Sequence, residues 1–147
     1  MSRKQAFSSL SGTFSSLCPC GKSADYLKCC GRFHGGERVE VAPDAETLMR
    51  SRYTAYTLGL EPYLLATWHP DTRPESLQLS EDKATRWLGL EIKRHEMTGE
   101  NSAIVEFVAR YKIAGRAHRL HETSRFVRED GRWYYVDGEF PAKDGSK

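Results

Sequence analysis

The sequence predicts an α+β fold: three helices packed on a four-stranded antiparallel sheet, preceded by a small cysteine module. Three observations carry this. Apolar residues recur every three or four positions between Asp44 and Leu88, the stripe of amphipathic helices. From Leu90 the period changes to two, and three turn signals divide the rest into strands with one wet and one dry face. All four cysteines fall between Cys18 and Cys30. The 147 residues are 39% hydrophobic and 29% charged, enough for the core of one ordinary domain. A net charge of +2 is too small to point to nucleic acid. No apolar run is long enough to insert into a membrane.

Residues 1–17 hold six serines, two basic residues near the start and no acid, and read as a flexible tail. Phe14 and Leu17 are its residues for docking on the cysteine module. No apolar secretory segment is present, so the protein is expected in the cytoplasm, where thiolates stay free to bind metal. The module proper, residues 18–34, begins CPCGKSADYLKCC. Two cysteines one residue apart, a short loop and an adjacent pair can bring four sulfurs around one point. A closed tetrahedral zinc site needs that arrangement, with Zn–S near ~2.3 Å. Pro19 stiffens the first arm and Gly21 lets the chain turn. Lys22, Lys28 and Arg32 offset the negative charge of four thiolates. Disulfides between the two pairs are sterically open, but a Cys29–Cys30 bridge would be strained. The C-x-x-C of a redox dithiol is absent. The expectation is one structural Zn2+ per chain on Cys18, Cys20, Cys29 and Cys30, with His34 as a substitute ligand.

Residues 35–43 read as a linker, and an α+β domain spans 44–140. Asp44 suits the N-cap of the first helix, in which Met49, Tyr53, Tyr56 and Leu60 share a face and Gly59 weakens the end. Pro62 fits the first turn of a second helix that turns Leu64, Leu65 and Trp68 inward and stops at His69–Pro70. A third helix is predicted from a Ser80 cap, with Glu81 and Asp82 in its first turn and Trp87 and Leu88 inward. Turns at Thr98–Asn101, Ala114–Ala117 and Glu129–Gly131 then delimit the strands. Simple turns set Val105 opposite Arg94 and Phe126, Phe107 opposite Ile92 and Ser124, and Ala109 opposite Leu90 and Glu122. Tyr111 faces Leu120 on the same dry face. On the wet face Lys93, Glu106 and Arg125 share a row.

The stretch CPCGKSADYLKCCGRFH resembles the SEC-C motif, the zinc hook at the C-terminus of the preprotein translocase ATPase SecA. LMRSRYTAYTLGLEPYLLATWHP resembles the YchJ family of bacterial proteins, which carry that hook ahead of a second domain. The resemblance runs from about Cys18 to Gly138. It implies a nuclear-transport-factor-2-like fold for the second domain, a curved sheet wrapped around helices into a cone. It also implies protein partners for the hook, such as an export chaperone or the ribosome. It brings no established biochemical activity. Some relatives have a second cysteine hook at the C-terminus, whereas GEFPAKDGSK contains no cysteine.

Two residues break the apolar rule on the inner face, Glu122 and Ser124. A buried carboxylate is costly unless paired, and such groups concentrate at functional sites. With Tyr53, Tyr56, Trp68, His69 and either Tyr135 or Asp137, they would line a cavity for a small molecule. His69 and Glu122 are then the acid–base pair. The plainer reading has Arg50 or Arg52 neutralise Glu122 and tyrosine hydroxyls satisfy it. Two functions are in view: a zinc-dependent protein-interaction adaptor, or a small-molecule binder or enzyme using the cavity. RNA binding through the hook and the wet sheet face, with Lys93, Arg110, Arg119 and Arg125, ranks third, because aromatic residues for stacking are sparse on that face.

Overall fold

The computed structural model describes residues 17–35, 40–79 and 84–140. The expected tail with Phe14, part of the linker and the Ser80 cap with Glu81 and Asp82 lie outside the described residues. Three α-helices, α1 (Gly31–His34), α2 (Ala45–Leu58) and α3 (Glu61–Ala66), precede four strands. The strands are β1 (Thr85–Gly99), β2 (Ser102–Ile113), β3 (Arg116–Glu129) and β4 (Arg132–Glu139). They form one antiparallel meander in the order β1-β2-β3-β4.

Helix α2 is the pivot of the molecule. Asp44 caps it by accepting from the Thr47 amide at 2.8 Å, and Gly59 closes it at φ 72, so that glycine is a helix stop rather than a weak point. Ala45, Leu48, Met49 and Tyr53 pack on Ala103, Val105, Phe107 and Ala109 of β2 and Phe126 of β3. Full burial of each large side chain contributes about 1.5–3 kcal/mol. Ser51 and Thr54, on the helix flank that meets the cysteine module, are just as buried. In α3, Pro62 sits in the first turn and Leu64 is fully buried. The chain then lies along β4, with His69 N donating to Tyr135 O at 2.8 Å and Tyr135 N to Thr67 O at 2.9 Å.

The stretch expected as a third helix is already strand by Thr85, pairing with Ile113. Long β2 offers a full ladder of backbone partners, and this outweighs the local helical pattern. Trp87 still turns inward, its ring 5.8 Å from Tyr53 and 5.3 Å from Tyr111. Leu88 does not: it is the extra residue of a β-bulge and about half exposed. Further bulges leave Lys93 and Thr98 outside the β1–β2 register. Bulges bend and twist a strand, which curves the sheet around α2.

The bulges also correct the predicted rows. Phe107 faces Ile92 and Ala109 faces Leu90 as expected, but Val105 faces His95 and Glu106 faces Arg94. Lys93 reaches Glu91 at 3.2 Å instead of Glu106, and Arg125 pairs with Asp137 at 2.6 Å. Between β2 and β3 the register differs by two residues: Val105 faces Ser124, Phe107 faces Glu122, Ala109 faces Leu120 and Tyr111 faces His118. The turn is two residues, Ala114 and Gly115, both at positive φ (51 and 82), as a tight type I′ hairpin requires. A slip of two keeps every side chain on its predicted face.

Candidate metal centre and ligand cavity

The four cysteine sulfurs come together on a short loop. Cys18 N bonds Ala24 O at 2.8 Å, folding the first arm back, and a 3₁₀ turn at Tyr26–Lys28 delivers Cys29 and Cys30. All four sulfurs lie within 4.8 Å of one another, with Cys20 and Cys29 at 3.6 Å, and all four residues are buried. A tetrahedral zinc thiolate site separates its sulfurs by about 3.8 Å. None of the four is in a disulfide. Crowding sets the thiols against one another: hydrogen bonds from Cys20 and Cys30 hold Cys18 far below the ordinary thiol range. Hydrogen bonds with Cys18 and Cys20 push Cys30 up, and burial pushes Cys29 up to about 11. A divalent cation at their centre would favour all four thiolates together. The donor set therefore fits a closed metal site.

His34 is not a ligand. Its Nε2 donates to Ser51 O at 2.8 Å, which leaves Nδ1 to accept from the Tyr26 hydroxyl at 2.7 Å. Its role is to join the module to α2, and burial lowers its pKa. Two other contacts cross the same seam. Arg50 Nη1 donates to Cys20 O at 2.8 Å. The Thr54 hydroxyl donates to Cys30 Sγ at 3.4 Å and lies 3.6 Å from Cys18 Sγ. A donor from the domain thus touches the sulfurs themselves, the outer-sphere contact that orients metal ligands. Leu17 bridges to Asp25 within the module and is about half exposed.

A second site lies on the other flank of α2. A cavity of about 260 Å³ is lined by Met49, Arg52, Tyr53 and Tyr56 of α2, Trp87 of β1, and Phe107 and Ala109 of β2. Leu120, Glu122 and Ser124 of β3 and Tyr135 of β4 complete it. Glu122 Oε2 accepts from Ser124 Oγ at 3.0 Å and from the Tyr135 hydroxyl at 3.4 Å. Burial raises its pKa against the pull of those donors and of Arg52. Its position depends on Gly138, where a Cβ would clash with the Glu122 carboxylate. Arg52, 4% exposed, donates through Nη1 to Leu64 O at 2.8 Å and Thr67 Oγ1 at 2.6 Å. Its guanidinium carbon lies 4.6 Å from the Tyr135 ring centre and 5.1 Å from that of Trp68.

Residues 44–138 match the family model described as YchJ, middle NTF2-like domain. The chain belongs to the YchJ family. A UPF0225 protein of Chromobacterium violaceum is 60% identical over 124 residues, covering 82% of this chain and 90% of that protein. A UPF0225 protein of Methylibium petroleiphilum is 60% identical over 122 residues, covering 83% and 87%. Two solved structures share the fold. The solution structure of a SEC-C motif containing protein from Rhodopseudomonas palustris matches with TM-score 0.74 at 32% identity, covering 84% of this chain and 98% of that one. The crystal structure of a SEC-C motif containing protein from Psychrobacter arcticus gives 0.71 at 30% identity, covering 85% and 82%. The cysteine cluster of this YchJ-family chain is therefore a SEC-C-like hook, and the domain behind it is NTF2-like.

Of the cavity residues named from sequence, Tyr53, Tyr56, Glu122, Ser124 and Tyr135 come together in this NTF2-like domain. Trp68 stands behind the wall, its ring edge-on to Tyr135 at 4.9 Å. His69 is elsewhere: Nε2 lies 2.8 Å from Glu129 Oε2 and Nδ1 accepts from the Asp71 amide at 3.1 Å. Its backbone bond to Tyr135 holds it along β4, so it makes no pair with Glu122. Asp137 is taken by Arg125, and Arg50 reaches Glu46 and Cys20, leaving Arg52 as the cation of the cavity. Trp87 and Gly138 were missed. The alternation that marks β1 could have been followed back from Leu90, and Gly138 had the signal of a strand position with no side chain.

Proposed function

We propose that the protein is a zinc-dependent interaction adaptor, its hook built on one structural Zn2+ held by Cys18, Cys20, Cys29 and Cys30. The observation that carries this is the cluster of four buried sulfurs within 4.8 Å. Four protein ligands leave no position for a substrate water, so the metal builds a surface rather than a reaction centre. His34, Arg50 and Thr54 fix the sulfur side of the hook against α2. The exposed part of the hook is what a partner would meet: Leu27 is 78% exposed, with Lys22 and Lys28 also exposed. An exposed leucine with two lysines in the same loop suits a partner with an apolar patch and acidic groups, and an export chaperone or the ribosome are the classes to try first. A reducing cytoplasm suits the free thiols. No helix among the described residues is long and apolar enough to cross a membrane. The test is quantitative binding to purified candidates. Leu27→Ser should weaken it about ten-fold or more while zinc content stays the same. Equal binding by wild type and Leu27→Ser would move the interface elsewhere.

A second reading is favoured by the cavity beneath α2, which combines aromatic walls with a buried Arg52 and Glu122. Such concave, mostly apolar sites with few polar groups are where small molecules bind.

A further inference from the structure

We propose that the cavity between α2 and the inner face of the sheet binds a small aromatic carboxylate, with the carboxylate on Arg52 and the ring between Tyr53, Tyr56, Trp87 and Phe107. This rests on the reading of the cavity as a ligand site and names its ligand class.

Two charged residues line the cavity, and only one is satisfied by the protein. Glu122 has Ser124 and Tyr135 as donors, and Gly138 leaves it the room to reach them. Arg52 has neutral acceptors for Nη1 alone, a carbonyl and a hydroxyl. Among the described residues Arg52 makes no salt bridge, and Glu122 acts on it through its Coulombic field rather than through a hydrogen bond. A guanidinium that is 4% exposed and makes no salt bridge is costly, and an anion hydrogen-bonded to it in the cavity offsets that cost. Guanidinium recognises carboxylate through two parallel bonds, and Arg52 is already held in one orientation by Leu64, Thr67 and two ring faces. What remains unmet is an anion, not an ammonium group.

Size and walls specify the rest. A volume of about 260 Å³ suits one ring and a short acid rather than a nucleotide or a peptide. Tyr53, Tyr56 and Trp87 meet edge-on or tilted, at 5.8 and 6.0 Å, and so offer ring faces and edges to an aromatic guest.

The test is calorimetric titration of the full-length protein at neutral pH with benzoate, benzamide, benzylamine and phenylalanine. Benzoate should bind, and benzamide should bind about ten-fold more weakly or worse, since it lacks the charge for Arg52. Glu122→Gln should tighten benzoate by roughly three- to ten-fold by removing a nearby negative charge. Leu120→Trp, which fills the cavity, should abolish binding. Equal affinity for benzamide would overturn the role of Arg52. Preference for benzylamine or phenylalanine, lost in Glu122→Gln, would mean that an ammonium group on Glu122 is recognised instead. Benzoate binding undiminished in Leu120→Trp would place it outside the cavity. Failure of all four probes at millimolar concentration would sink the cavity reading too, whereas the other failures sink only the ligand class.

Discussion

The cysteine hook and the NTF2-like domain sit against each other yet bury different things. In the hook the buried residues are the four cysteines and Phe33, and Phe33 belongs to the core of its neighbour. In the domain, Leu48, Val105, Phe107 and Phe126 form a continuous apolar core under a four-stranded antiparallel sheet. So short a segment cannot bury enough apolar surface to hold itself together, and on the proposed function metal coordination supplies the difference. One region should respond to chelators and the other to cavities cut in its core. The seam at His34, Arg50 and Thr54 is where the two responses meet.

Removing the metal ligands should separate the regions most sharply. Cys29→Ser with Cys30→Ser deletes a binding term on the order of 10 kcal/mol, so hook amides should lose all protection from hydrogen exchange while the strand amides keep theirs. Collapse of the whole domain would show that the hook is part of one cooperative core. Phe126→Ala acts on the other side, since that ring is 1% exposed and packs on Tyr135 at 5.8 Å. It should cost about 3–5 kcal/mol in denaturant unfolding, with the metal content of the folded fraction unchanged. Thr54→Val tests the seam. Zinc affinity should fall about ten-fold by competition with a chromophoric chelator, with about 1 kcal/mol lost from the domain. No change in affinity would reduce Thr54 to packing.

The smallest effect concerns Glu122, which faces Arg52 and Tyr56 of α2, Ser124 of its own strand, and Tyr135 and Asp137 of β4. Its folded pKa lies above the unfolded value because burial penalises the charge. The folded state therefore holds the proton more tightly. Stability from this group is fully present below the unfolded carboxylate pKa and is lost as pH rises through the folded one. Glu122→Gln should thus be more stable than wild type at neutral pH, with the gap closing in acid. A gap that widened in acid would reverse the sign of the burial effect.

Local chemistry was legible and long-range adjustment was not. The hook could be read because its four cysteines lie within thirteen residues and their clustering depends on that short spacing. Asp44, Pro62 and the hairpin turns were legible for the same reason. Glu122 and Ser124 were placed on the inner face correctly despite a register two residues off, because face depends only on parity. The bulges at Leu88, Lys93 and Thr98 left no local mark; they arise where the sheet bends over α2. Trp87 was given to a helix because a short apolar run fits either period, and β2 decided it. His69 was drawn out of the cavity by a backbone bridge to Tyr135 that no local pattern encodes.

Native mass spectrometry of protein purified without chelator reads the metal content of the hook. One zinc per chain should be retained by wild type and absent from Cys29→Ser with Cys30→Ser. A folded chain with no metal and four free thiols would contradict the proposed zinc site.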